Sequence, residues 1–259
     1  MPPLGPLLIG VALMAAGCRA PALQREPFAF LEPGRTGVAL KQPVANRHTL
    51  EGKFDVGPVQ DPFGGPPNYF HIEDDGKIQG KYELALALRQ VLTESTTIEF
   101  GLGYRQYEIL GLQPAPDPNI QFNVDTVDSL QFYAALRRYF EGPDWLSLRW
   151  RWFLEAGIYF IPSVNVDTRL QFLTTSQPIA SKGAPFEVLG LTAGAAYALA
   201  DDLLFEFGLT WEEPLEDLSV DLSTSVDFGG GQVIDVPVEA SMHPEGGLVF
   251  FSLTWFPLA

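Results

Sequence analysis

Tyr82-Glu83-Leu84-Ala85-Leu86-Ala87-Leu88-Arg89, followed after a short break by Ile98-Glu99-Phe100-Gly101-Leu102-Gly103-Tyr104-Arg105, decides how this chain is read. Side chains alternate across a strand, so every second residue shares a face. Tyr82, Leu84, Leu86 and Leu88 form one face of the first segment, and Ile98, Phe100, Leu102 and Tyr104 one face of the second. The opposite faces carry Glu83, Ala85, Ala87 and Arg89, then Glu99, Gly101, Gly103 and Arg105. A soluble sandwich puts a polar face against water. Small residues mixed with Arg and Glu, and little Lys, fit a narrow lumen filled by side chains instead.

The pattern repeats. Leu130–Leu136, Trp150–Ile158, Leu189–Tyr197, Phe205–Trp211 and Val249–Trp255 alternate in the same way, and His48–Val56 more weakly. These make eight candidate strands. Short connections at Leu92–Thr96, Glu141–Asp144 and Ala200–Asp202 alternate with long ones at 57–76, 113–124, 162–184 and 213–244. A transmembrane barrel has short periplasmic turns at one rim and long external loops at the other. The expected fold is an all-β, antiparallel up-and-down transmembrane β-barrel of eight strands. Ten is the alternative if 218–228 and 233–242 also cross. Pro237 and the acids Asp221, Asp227, Asp235 and Glu239 favour an external hairpin there.

Composition excludes several classes. The 259 residues are 46% hydrophobic and 12% aromatic, which rules out disorder throughout. A net charge of −16, from 16 cations against 32 anions, repels phosphate and argues against nucleic acid. One cysteine excludes a disulfide framework and a cysteine-rich zinc site. Gly 25 and Pro 22 call for many turns.

The first residues read as an address. Leu7–Ala16 is apolar, too short to span a bilayer, and ends in small residues, as a signal peptide does. Ala15-Ala16-Gly17-Cys18 resembles a bacterial lipobox, which implies lipidation at Cys18. The expected organisation is a signal peptide at 1–17, a lipidated periplasmic tether at 18–45 and a barrel at 46–259, with Thr36–Gln42 adding a short strand.

Candidate functional residues follow from the faces. Arg89, Arg105, Arg137, Arg149 and Arg151 are expected to pair inside with Glu83, Glu99, Glu155 and Glu206, since a guanidinium fork holds a carboxylate bidentately. Tyr82, Tyr104, Trp150, Trp152, Tyr197, Trp211 and Trp255 fall on the outward face, as an aromatic girdle would. His48 is placed near the inner rim. His71 and His243 fall in or beside long loops. Ser241 and Glu245 flank His243, which supplies parts for nucleophilic catalysis, but no His-x-Ser element lies on a strand and no catalytic residue is assigned. His71, Glu73, Asp74 and Asp75 offer ligands for a divalent ion in a spacing that matches no calcium loop. No metal or cofactor is assigned.

Gly190–Trp211 (GLTAGAAYALADDLLFEFGLTW), Leu154–Tyr159 (LEAGIY) and Gly247–Phe256 resemble the small outer-membrane β-barrel superfamily, the OmpA-like and OmpW-like proteins. The last stretch is similar to the closing strand that barrel-assembly machinery recognises. It departs from the pattern by ending Pro257-Leu258-Ala259. The resemblance implies fold and an outer-membrane location, with outer-membrane lipid and that machinery as partners. The expected role is non-enzymatic: an envelope structural or surface-contact protein or, as the OmpW-like resemblance implies, a narrow passage for small apolar solutes lined by Val164, Val166, Leu170 and Phe172. The alternatives are a lipid-A-modifying barrel enzyme and a soluble lipocalin-like binding lipoprotein.

Overall fold

The computed structural model describes residues 27–59, 65–112, 115, 120–142, 148–172, 175–227 and 233–257. The signal segment 1–17 and Cys18 lie outside them. The elements are β1 (Thr36–Val59), β2 (Asn68–Thr93), β3 (Thr96–Leu110), β4 (Ile120–Glu141), β5 (Trp150–Phe172), β6 (Thr175–Gly183), β7 (Phe186–Ala200), β8 (Leu203–Pro214), β9 (Leu218–Asp221), β10 (Thr224–Asp227), β11 (Val233–Val236) and β12 (Val238–Trp255).

In the lower tier, β1, β2, β3, β4, β5, β7, β8 and β12 pair antiparallel in that order, and β12 returns to β1. The eight-stranded ring is therefore closed, and closure leaves no edge unpaired. Among its described residues, the stretch 218–242 adds no membrane strand. β9 pairs with β12 above the ring, and β10 and β11 form a separate hairpin.

The outside of the lower tier is apolar. Leu86, Leu88, Phe100, Leu102, Phe132, Leu136, Leu154, Ile158, Leu191 and Leu209 are exposed there, Leu88 by 58% and Leu209 by 64%. Water does not sustain so continuous an apolar surface; a bilayer does. A water-soluble lipocalin would turn this face inward.

Above the ring the wall changes partners. β6 replaces β7 beside β5, and β9 replaces β8 beside β12. β6 and β9 meet at one ladder pair, Gly183 opposite Val220, with Ala184 N–H donating to the Ser219 carbonyl at 2.8 Å. Most of the stretches expected as long loops are upward extensions of the wall. Their alternation is real, but its apolar set faces inward and its charged set, such as Glu73 and Asp75, faces water.

Bulges produce that inversion. Val44 on β1, Lys81 on β2 and Asp125 on β4 are each an extra residue against the neighbouring strand, and β5 has one more around Ile161 and Pro162. A one-residue slip flips every following side chain to the other face. Leu84, Leu86 and Leu88 face lipid, whereas Ile78, in phase with them in sequence, is buried inside. The same holds for Leu154 and Ile158 against Val164, Val166 and Leu170 on β5.

Two boundaries differ from expectation. The strand expected at Thr36–Gln42 is present, but it is the start of the barrel wall: β1 runs from Thr36 on through residue 45, the expected end of the tether, and Val38 already pairs with Trp255. His48–Val56, expected as the first membrane strand, is the upper part of β1. Residues 27–35 also belong to the fold. Phe28, Phe30 and Leu31 are buried with Val91, Tyr139, Phe153, Leu204 and Phe256 and cork the short-turn mouth. Phe30 stacks on Phe256 at 5.0 Å, and Arg35 Nη2 donates to the Pro257 carbonyl at 3.0 Å. Proline and scant periodicity suggested a tether because a cork needs only a few apolar contacts and no repeat.

Candidate functional site

The lumen of the membrane tier holds a lattice of charges. Arg89 lies opposite Glu99 in the β2–β3 ladder and donates from Nε to its carboxylate at 2.7 Å. Its Nη1 reaches Glu206 at 2.8 Å across the barrel. Arg137, opposite Glu155 on β5, donates from Nε to it at 2.7 Å and from Nη1 to Glu206. Arg105 joins Glu83 at 2.6 Å and holds Glu212 through two donors at 2.6 and 2.7 Å. These side chains are all buried. The antiparallel register puts each Arg beside its Glu, and the closed ring brings Glu206 and Glu212 on β8 to the far ends of the same guanidinium groups.

Aromatic side chains fill the gaps. Tyr133 donates to Glu99 at 2.9 Å and Tyr139 to Glu206 at 2.7 Å. The Arg137 guanidinium lies 4.3 Å from the Phe153 ring centroid. Tyr133 lies over Gly101, its cross-strand partner, where a Cβ would strike the ring. That is the physical need for glycine at 101.

The expected lumen set divides. Glu83, Arg89, Glu99, Arg105, Arg137, Glu155 and Glu206 converge. Arg149 and Arg151 do not join them. They sit at the short-turn rim, where Arg149 Nη1 donates to the Ala198 carbonyl at 3.4 Å and Arg151 Nη1 to the Glu94 carbonyl at 2.9 Å. Their strand positions share the inward parity, but the wall ends there: Arg149 is exposed, and the Arg151 guanidinium lies over the Phe28 ring of the cork, 4.5 Å from its centroid.

Three members were missed. Lys41 bridges Glu99 at 2.5 Å and Glu155 at 3.3 Å, from the short strand expected within the tether and not counted in the barrel. His48 was placed at the inner rim and instead meets Glu212 at 3.3 Å in the buried upper end of the lattice. Glu212 itself was one alternation step beyond Glu206-Gly208-Thr210, a signal within reach. Of the girdle set, Tyr104, Trp152, Trp211 and Trp255 are exposed on the outer face. Trp150 and Tyr197 are half-buried against each other, with centroids 4.7 Å apart. The Tyr82 and Phe172 side chains lie outside the described set.

Above the lattice the interior turns apolar. Leu50, Phe54, Ile78, Ile109, Val164, Val166, Leu170, Val188 and Met242 are all buried there. A cavity of about 60 Å³ separates the two zones, with His48, Arg105 and Glu212 below and Leu50, Ile109, Val164, Phe186 and Met242 among its apolar walls.

The histidines of the upper tier lie outside the barrel. His71 Nδ1 is 2.7 Å from Asp55 and its Nε2 3.7 Å from Glu73, all three well exposed. Asp74 takes the other parity of β2, so His71, Glu73, Asp74 and Asp75 do not converge. Hydrogen bonding to Asp55, and then its charge, raise the His71 pKa above the ordinary 6.5. On β12, His243 Nδ1 is 2.8 Å from Asp217, and Ser241 Oγ donates to the same carboxylate at 3.1 Å. Ser241 thus points to the acid and not to the base, which is not the order nucleophilic catalysis uses. Burial lowers the His243 pKa, but the bond to Asp217 and the charges of Asp217 and Glu213 outweigh it and the net shift is upward.

A closed eight-stranded ring, an apolar belt outside, a charge-filled lumen and tall strand extensions at one rim define a small transmembrane β-barrel of the outer-membrane class. Solved structures with a similar course include OprG from Pseudomonas aeruginosa, at 12% identity and a TM-score of 0.44, covering 88% of this chain and 99% of that one. AlkL is similar at 12% identity and 0.37, covering 93% and 97%. Neisserial surface protein A is similar at 11% and 0.35, covering 85% and 97%. No family model matches the chain, and no curated protein matches its sequence.

Proposed function

We propose that this chain is a non-enzymatic passage in the bacterial outer membrane. It takes small apolar solutes into the apolar interior above the charge lattice and releases them sideways into the outer leaflet between β6 and β9. One observation carries the reading: the interior is divided. A buried ionic lattice closes the lower lumen to through-flow, while the tier above it is apolar and its wall is joined at the β6–β9 seam by a single ladder pair. A purely structural barrel has no need of an apolar upper interior over a weak seam. In this reading the short-turn rim is periplasmic, Cys18 is lipidated there, and barrel-assembly machinery recognises Gly247–Phe256.

The test ties the seam. Ala184 and Ser219 are outward-facing neighbours across it, so Ala184→Cys with Ser219→Cys forms a removable staple. Uptake of a fluorescent naphthylamine by cells carrying this pair is expected to fall under oxidation and recover with reductant. Equal uptake by deletion and parent strains would leave only an envelope structural role. A lipid A mass spectrum altered in the deletion strain would bring the enzyme reading back.

A further inference from the structure

The β8–β9 corner holds a group of metal-binding side chains that the passage reading does not use. β8 leaves β12 after Glu212, and β9 rejoins it at Leu218. The detour sets Glu213 and Asp217 beside the outward face of β12, where His243 and Glu245 stand two residues apart. One ligand atom each from Glu213, His243 and Glu245 lies within 4.8 Å of the others, and all three residues are partly buried.

The histidine is already oriented. Asp217 takes its Nδ1 at 2.8 Å, which leaves Nε2 as the ring nitrogen facing Glu213, 3.7 Å away. A carboxylate on the far nitrogen is the usual support of a metal-binding imidazole, fixing tautomer and ring plane. Thr49 Oγ1 reaches Glu245 at 3.5 Å, and Trp211 Nε1 reaches Glu213 at 3.3 Å, so both carboxylates are also held from outside the group. His71 is oriented in the same way by Asp55, but among the described residues no second carboxylate joins Glu73 around its Nε2, and its side chain is 59% exposed against 30% for His243.

We propose that Glu213, His243 and Glu245 form a binding site for a divalent transition-metal ion of the Zn²⁺ type, with Asp217 as positioning residue. One nitrogen and two carboxylate oxygens suit Zn²⁺, whose bonds of about 2.0–2.2 Å place tetrahedral ligands about 3.4 Å apart. Rotation of the two glutamates closes the remaining distance. A bound ion would clamp β8, β12 and the start of β9 together beside the seam. The site stands whether or not the passage reading holds.

The experiment is equilibrium dialysis of the detergent-folded full chain against Zn²⁺ at neutral pH, with metal analysis of the protein. About one tight ion per barrel is expected. His243→Ala and Glu213→Gln should remove it, Asp217→Asn should weaken it about 10–100-fold, and His71→Ala should leave it unchanged. Heat-dependent gel mobility checks that each variant is folded; if His243→Ala is not, Glu213→Gln decides. Absence of a tight ion in the parent, retention in the folded His243 or Glu213 variant, loss in His71→Ala, or preference for Mg²⁺ over Zn²⁺ would each overturn the assignment.

Discussion

Arg137 and Glu155 stand directly opposite each other on β4 and β5, and the guanidinium that meets Glu155 at 2.7 Å also holds Glu206 from the far wall. One side chain therefore closes the lumen in two directions. Removing one member of a buried pair strands the other charge, a larger loss than the pair's own net worth. Arg137→Ala should destabilise the folded barrel by about 3–5 kcal/mol, read as a lower urea midpoint in detergent. Arg137→Lys should lie between, since it keeps the charge and loses the fork.

The lattice and the rim should separate electrically. Glu155→Ala removes a carboxylate shared by Arg137 and Lys41 and should raise single-channel current events in planar bilayers. Arg151→Ala should leave the record like the parent's, because Arg151 bonds the Glu94 carbonyl at the rim. Equal silence in both would mean that the plug does not depend on this pair.

The cork is a packing element. Phe30 is fully buried and stacks on Phe256. Phe30→Ala should cost about 3–5 kcal/mol and lower the temperature of the heat-dependent gel shift. No change would place residues 27–35 outside the folded unit.

Lys81 is the extra residue of β2. Its deletion should turn Ile72 and Ile78 outward and Glu73, Asp75 and Lys77 inward. The upper tier should then become protease-sensitive while the lower ring still resists SDS until heated. Unchanged protection of both tiers would show that another bulge absorbs the slip.

The two outer histidines should titrate above 6.5, followed by NMR of labelled imidazoles. Asp55→Asn should lower the His71 value and Asp217→Asn the His243 value. A raised folded-state pKa means that each pair's contribution is present below 6.5 and is lost as pH rises through the folded value. A stability gain on raising pH through that window, traced to either pair, would contradict the sign.

Much of the lattice was legible before folding. Arg and Glu shared one parity on successive strands, and antiparallel pairing of neighbours puts them in contact. Lys41, His48 and Glu212 were hidden for different reasons. Lys41 and His48 flank the Val44 bulge, so their parities differ although both point inward. Glu212 needed only one more step of its strand's alternation.

The closed ring decided eight strands over ten; the sequence by itself determined most of the membrane strands, the apolar outer face and most of the ionic interior. Those properties follow from a period of two and from the residues that can face lipid. It did not determine where the membrane tier ends, because Leu84–Leu88 and Ile78 belong to one unbroken alternation. Only the tertiary structure, by inserting Val44, Lys81, Asp125 and a residue near Ile161 above the lower ring, turned the same apolar set from the outside of the barrel to its inside. A bulge adds a residue without changing composition or period. Its effect exists only in the register between two strands, which no single segment carries.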